Sequence, residues 1–241
     1  MSKLYHTGLP REEPEGEEEE HHVDYGTVEV KRHSAQYRIY HWATVIIGLI
    51  IGWTGLRLGG LYGVAFPDMQ LSLTLHVYLG FVFAGLFVLI FAYVIAHEWE
   101  WFTLARIPYA TKFFILELLS WIKVIPHVED PRGYDTRKNK YVEKLVPTEV
   151  MVLWLYIALV VIMGITGLPI YYTDILSPVT QFAGQFAVYF NFADGEMVLR
   201  AIHRLFMFIF LMTMLIHAYA VIIFDVLGSM ITGRKEEKVR R

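Results

Sequence analysis

The chain has 241 residues, 55% hydrophobic and 15% aromatic, with a formal net charge of -3 and a mean hydropathy of +0.41. That balance excludes a disordered or nucleic-acid-binding protein. The absence of cysteine excludes disulfides, thiolate zinc sites and iron–sulfur clusters held by this chain.

The N-terminal stretch lacks the early apolar core of a secretory signal. Arg11 to Glu20 instead holds seven glutamates in ten positions, followed by His21 and His22. This composition predicts a solvated, disordered tail. Four nearly charge-free stretches follow: Tyr40 to Leu56, Leu71 to Ala96, Val150 to Thr173 and Leu205 to Phe224. A helix of about 20 apolar residues spans a bilayer and satisfies its own backbone. Four transmembrane helices are therefore expected. Phe113 to Val124 and Ile175 to Ala193 carry aromatic residues at helical spacing mixed with polar ones, which suits amphipathic helices at the membrane surface. The fold class is all-α, an integral membrane four-helix bundle with interfacial helices. It divides into an acidic tail over 1–33, the bundle over 34–228 and a basic tail over 229–241.

Lysine and arginine are distributed unevenly about these spans. From Lys31 onward, sixteen fall before the first, between the second and third, and after the fourth; on the other side stand Arg57, Arg200 and Arg204. The positive-inside rule places both termini in the cytoplasm of a cell-membrane protein.

Of the ten histidines, His41, His76, His203 and His217 fall in or beside the spans, where an ionisable side chain is costly and faces a cavity, partner or cofactor. His203 and His217 are fourteen residues apart, nearly four turns of one helix, so they share a face within about 40° and stand ~21 Å apart along it. Span direction puts His76 at the depth of His203 and His41 near the depth of His217. Two cross-bundle pairs result, the geometry that two stacked bis-histidine haems require. Gly48, Gly52 and Gly55 follow His41 on its own face and offer a groove for a porphyrin or for close helix packing. Arg38, Arg200 and Arg204 stand where haem carboxylates would emerge and could pair with them. His97, ending the second span, is a candidate alternative ligand or quinone-site residue. His33 and His127 read as surface residues.

Arg38-Ile39-Tyr40-His41-Trp42 opening a helix that closes on Thr54-Gly55-Leu56, then His76-Val77-Tyr78-Leu79-Gly80, then the His203/His217 pair, resembles the di-haem cytochrome b membrane subunits of respiratory formate dehydrogenases and nickel–iron hydrogenases. Thr166-Gly167-Leu168 repeats the first helix's ending. The resemblance covers about residues 36 to 225. It implies two b-type haems, with His76 and His203 matching the ligands of the outer one and His41 and His217 those of the inner one. It also implies partners: iron–sulfur and catalytic subunits of an oxidoreductase complex, and exchange of electrons with menaquinone or ubiquinone near the inner haem. Many members carry an Asn-Pro-x-Gln-like segment before the third helix. Here that stretch reads Lys140-Tyr141-Val142-Glu143-Lys144-Leu145, so the quinone residues do not carry over, and His97 and Glu143 are candidates by position alone.

The leading expectation is an electron-transfer subunit in which the cofactor carries the chemistry and substrate oxidation belongs to another chain. Two alternatives stand beside it: a free-standing cytochrome b oxidising a small diffusible donor with quinone as acceptor, and a haem-free membrane anchor or transporter.

Overall fold

The computed structural model describes residues 26–240; the acidic run and His21 and His22 lie outside the described residues. In chain order it contains strand β1 (Thr27–Lys31), helices α1 (Ala35–Leu58), α2 (Met69–His97), α3 (Trp99–Phe102) and α4 (Ile107–Trp121), strands β2 (Gly133–Asp135) and β3 (Lys140–Glu143), helices α5 (Thr148–Tyr171), α6 (Ser177–Gly184), α7 (Gly195–Ile223) and α8 (Leu227–Thr232), and strand β4 (Arg234–Lys238). Helices α1, α2, α5 and α7 are each long and apolar enough to cross a membrane. Large apolar side chains point away from the bundle, with Val88 67% and Leu215 61% exposed. Hydrocarbon is the solvent that such a surface matches. The chain is an all-α, multi-pass membrane protein.

Helix starts are set by short polar side chains. Ser34, Asp68 and Asp194 precede α1, α2 and α7 and accept hydrogen bonds from the backbone N–H of Tyr37 (3.1 Å), Leu71 (2.9 Å) and Met197 (2.9 Å). The Asp194 cap, with Glu196 in the first turn, starts α7 ten residues before the apolar stretch and brings Arg200, His203 and Arg204 inside the helix. Ile175 to Ala193 is not one amphipathic helix. It forms α6 and a separate 3-10 turn over Ala187–Phe190, and Ala183 and Ala187 pack on Val198 and Leu199 of α7. A Cβ on Gly195 would overlap the Thr180 carbonyl, so glycine is required where α6 crosses the start of α7.

Part of the stretch expected as tail is folded. Strand β1 pairs antiparallel with β4, from Thr27 opposite Lys238 to Lys31 opposite Arg234. The valines of Thr27-Val28-Glu29-Val30-Lys31 alternate with polar residues as a half-buried strand requires. Immediately after β1, Arg32 donates from Nη1 to Glu237 Oε1 at 2.5 Å, with both side chains buried and Glu149 of α5 3.9 Å away. Lys144 and Glu98 form a second ion pair at 2.5 Å, and Arg132 donates to the Phe224 carbonyl at the end of α7. These contacts close the proximal end of the bundle, the end holding β1 and β4. The connections α1–α2 and α5–α7 form the distal end.

Replacing Arg32 by alanine leaves Glu237 buried without its partner, a loss of about 3–5 kcal/mol for a pair of this kind. The expected outcome is a lower thermal midpoint of the detergent-solubilised protein. A joint Arg32→Met, Glu237→Leu replacement recovers most of it.

Candidate functional site

The four histidines meet in two pairs inside the bundle. His76 of α2 faces His203 of α7 with ring centroids 6.2 Å apart and planes at 70°, and His41 of α1 faces His217 of α7 at 6.4 Å and 55°. Because α7 supplies one member of each, the pairs are stacked along it, ~21 Å apart by helical rise. Aromatic rings fill the space between them. Phe83, Phe87, Phe210 and Tyr156 touch in sequence at 5.0 to 6.4 Å, and Tyr156 reaches the His217 ring at 6.1 Å.

The local chemistry of the distal pair is set by α1 and α5. Thr54 is 1% exposed, and its hydroxyl donates to the carbonyls of its own helix at Ile50 and Ile51. Its oxygen is thereby free to accept from His76 Nδ1 at 3.2 Å, and that nitrogen also lies 3.1 Å from the Ile51 carbonyl. Thr166 of α5 does the same for His203: its hydroxyl donates to Ile162, and its oxygen lies 3.0 Å from His203 Nδ1, with a backbone hydrogen bond at Met163. In each ring the bonded Nδ1 carries the proton and Nε2 keeps its lone pair, the tautomer that a metal ligand needs. The next residue makes room. A Cβ on Gly55 would stand 3.1 Å from His76 Cε1, and one on Gly167 2.9 Å from His203 Cε1. At the proximal pair, His41 Nδ1 is buried with no hydrogen-bond partner.

These features fit haem. A metal–imidazole bond is about 2 Å long, and the ring centre lies about 1 Å behind the ligating atom, so two rings binding one metal from opposite sides stand about 6 Å apart. Each pair offers two nitrogens, which suffices where a porphyrin supplies the other four; no group of three or more metal-binding side chains exists among the described residues. Gly80, one turn beyond His76 on its face, and Gly164, near Gly167, are half-buried with no atom within 4 Å of a Cβ built there.

The remaining candidates are distributed differently. Gly48 and Gly52 receive Phe83 and Leu211 from α2 and α7, while Gly55 receives His76 itself. Arg38 bonds the Ile231 carbonyl and keeps its buried Nε unpartnered. Arg200 is paired with Glu196, and Arg204 is exposed. His97 is exposed and stacked on Tyr93 at 4.5 Å. Glu143 is tied to Arg106. His97 and Glu143 are thus each engaged by a different neighbour.

His33 is not the surface residue it resembles in sequence. It is half-buried, stacks on Tyr37 at 5.5 Å and, with Tyr93, Glu98, Lys144 and Glu149, lines a cavity of about 30 Å³, space for roughly one water. Tyr37 lies one turn before His41, so this polar cavity adjoins the proximal pair. Burial, then the charges of Arg32 and Lys144, pushes the His33 imidazole down from 6.5 to about 3. The only sequence signal for this was its place directly before the Ser34 cap. Thr54 and Thr166 were likewise visible only as a repeated Thr-Gly-Leu.

A family model described as prokaryotic cytochrome b561 matches residues 32–233. No curated protein matches the chain significantly. The match takes in both histidine pairs and both Thr-Gly elements, and the chain belongs to that family: membrane cytochromes that bind b-type haem and transfer electrons.

The depressed His33 value carries a pH signature. The unfolded chain protonates His33 near 6.5 while the folded state resists until about 3, so stability that is full above 6.5 declines as the pH falls through that window. Between pH 6.5 and 4 the thermal midpoint of His33→Gln is expected to fall less than that of the parent.

Proposed function

We propose that the chain is the membrane electron-transfer subunit of an oxidoreductase complex of the formate dehydrogenase or hydrogenase kind, holding two b-type haems. His76 and His203 are the ligands of the distal haem, and His41 and His217 those of the proximal one. The observation carrying this reading is the pair of ring-to-ring separations, 6.2 and 6.4 Å, on two facing pairs stacked along α7. A third helix contact or a lone histidine would not demand that match twice.

Bound there, each haem supplies a one-electron carrier. The chain's own part is to present Nε2 lone pairs from opposite sides, keep water out with the Phe83–Phe210–Tyr156 cluster, and hold the two sites at different depths. The basic residues on the proximal side support a cytoplasmic location for that end. Electrons then enter from an iron–sulfur partner at the distal face and leave to quinone at the proximal one. Exposed Val188, Tyr189 and Phe190 at the distal end offer an apolar surface to such a partner. Reduction of a quinone consumes two electrons and two protons. The cavity lined by His33, Glu98, Lys144 and Glu149, open enough for a water but not for a quinone ring, supports a role in bringing those protons from the cytoplasmic side. Quinone itself would lie against the membrane-facing surface beside His41.

Haem per chain and reduced-minus-oxidised spectra test this reading. The parent is expected to hold two b haems; His76→Ala and His203→Ala each lose the same one, and their combination loses no more. His41→Ala and His217→Ala lose the other. A well-folded parent without haem overturns the proposal.

A further inference from the structure

We propose that Thr54 and Thr166 are paired positioning residues that hold the two distal ligands in one tautomer and lower the reduction potential of the distal haem relative to the proximal one. The inference rests on the two-haem reading above and concerns side chains outside the ligand set.

The two threonines occupy equivalent places. Each stands near the end of the first helix of a membrane hairpin, α1 before α2 and α5 before α7, and each is buried. Each spends its own proton on a carbonyl four residues back, Ile50 for Thr54 and Ile162 for Thr166. This leaves the oxygen able only to accept. Each accepts from the Nδ1 of the histidine on the second helix of its hairpin, at 3.2 and 3.0 Å. The carbonyl three residues before the threonine, Ile51 or Met163, shares that N–H. The following glycine admits the ring edge. The same four-part arrangement is thus built twice around one site.

A hydrogen bond accepted from Nδ1–H makes the imidazole a stronger donor at Nε2 and favours the oxidised, more positive iron. Both distal histidines donate one. At the proximal site, buried His41 Nδ1 has no such partner. The asymmetry orders the two potentials: the distal haem is the better reductant, and electrons arriving there pass downhill toward the proximal end.

The test is an optical redox titration of the purified protein, comparing the parent with Thr54→Val, Thr166→Val, their combination, and the serine replacements at both positions. Valine keeps the shape and removes the acceptor. The Ile51 and Met163 carbonyls remain, so each valine is expected to shift the distal Fe(III)/Fe(II) equilibrium toward Fe(II) by about threefold to tenfold, the range of one neutral hydrogen bond. Tenfold corresponds to about 59 mV for one electron. The combination shifts it further, serine stays near the parent, and the proximal component does not move. Loss of the distal haem from the valine variants but not the serine ones also supports the role. A distal potential unmoved in both valine variants, an equal shift of both haems, or loss of haem from the serine variants as well overturns it. A parent lacking two titrating components instead refutes the two-haem reading, so the two failures are distinguishable.

Discussion

How near an imidazole can be brought to a helix backbone inside an apolar bundle governs the geometry of the distal site. A histidine there must satisfy one ring nitrogen and leave the other bare, with no water to help. Gly55 and Gly167 remove the side chain that would keep the ring away, and the threonine before each supplies the acceptor. Once those two contacts form, α1 is fixed against α2, and α5 against α7. His76 and His203 then face each other at a separation that one metal bridges. The proximal pair follows from the same placement, since α7 carries His217 on the face that already holds His203.

The two ends of the bundle are built from different chemistry. At the distal end, small residues let α6 and its following turn lie against α7, and the packed core is Ala183, Ala187, Val198 and Leu199. At the proximal end, ion pairs gather both ends of the described chain onto the bundle: Arg32 with Glu237 and Glu149, and Lys144 with Glu98. Isolated buried pairs of this sort contribute little net stability compared with apolar replacements. Their value here is positional. They keep charge, a neutral His33 and a water-sized cavity one helical turn from His41, where a bundle closed by leucines would be dry. The proposed function needs that difference, because electrons cross hydrocarbon between cofactors whereas protons need polar groups and water.

Much of this was legible in the residues because membrane helices announce themselves by length and because fourteen-residue spacing places two histidines on one face whatever the surroundings. The four spans and both cross-bundle pairs could be read that way. What could not be read depended on contacts between segments remote in sequence. Val28 and Val30 alternate weakly, and only β4, near the other end of the described chain, makes them β-structure and Arg32 a buried ion-pair member. The aromatic spacing of 175–193, mixed with polar residues, suggests one surface helix. The chain breaks after Gly184, where the start of α7 packs against α6. Arg200 pairs with Glu196 four residues back, a contact that its place beside His203 does not announce. His97 and Glu143 are candidates by depth alone, and their neighbours Tyr93 and Arg106 follow from rotation about a helix and from a hairpin's partner.

The Thr-Gly repeat has a meaning that its spelling did not carry. Hairpins α1–α2 and α5–α7 each place a threonine, a glycine and a histidine in equivalent positions, so the distal site is symmetric between them. The proximal site breaks that symmetry: His41 comes from the first helix of one hairpin and His217 from the second helix of the other. Two equivalent halves can make one pair of equivalent ligands, but a second pair at another depth must use non-equivalent positions. Its surroundings are then free to differ. One histidine nitrogen is left unbonded, a tyrosine stands against the other ring, and a charged cavity lies a turn away. A bundle with two identical sites would give electrons no direction. The departure from symmetry at His41 and His217 is therefore the feature that lets one chain treat its two ends differently.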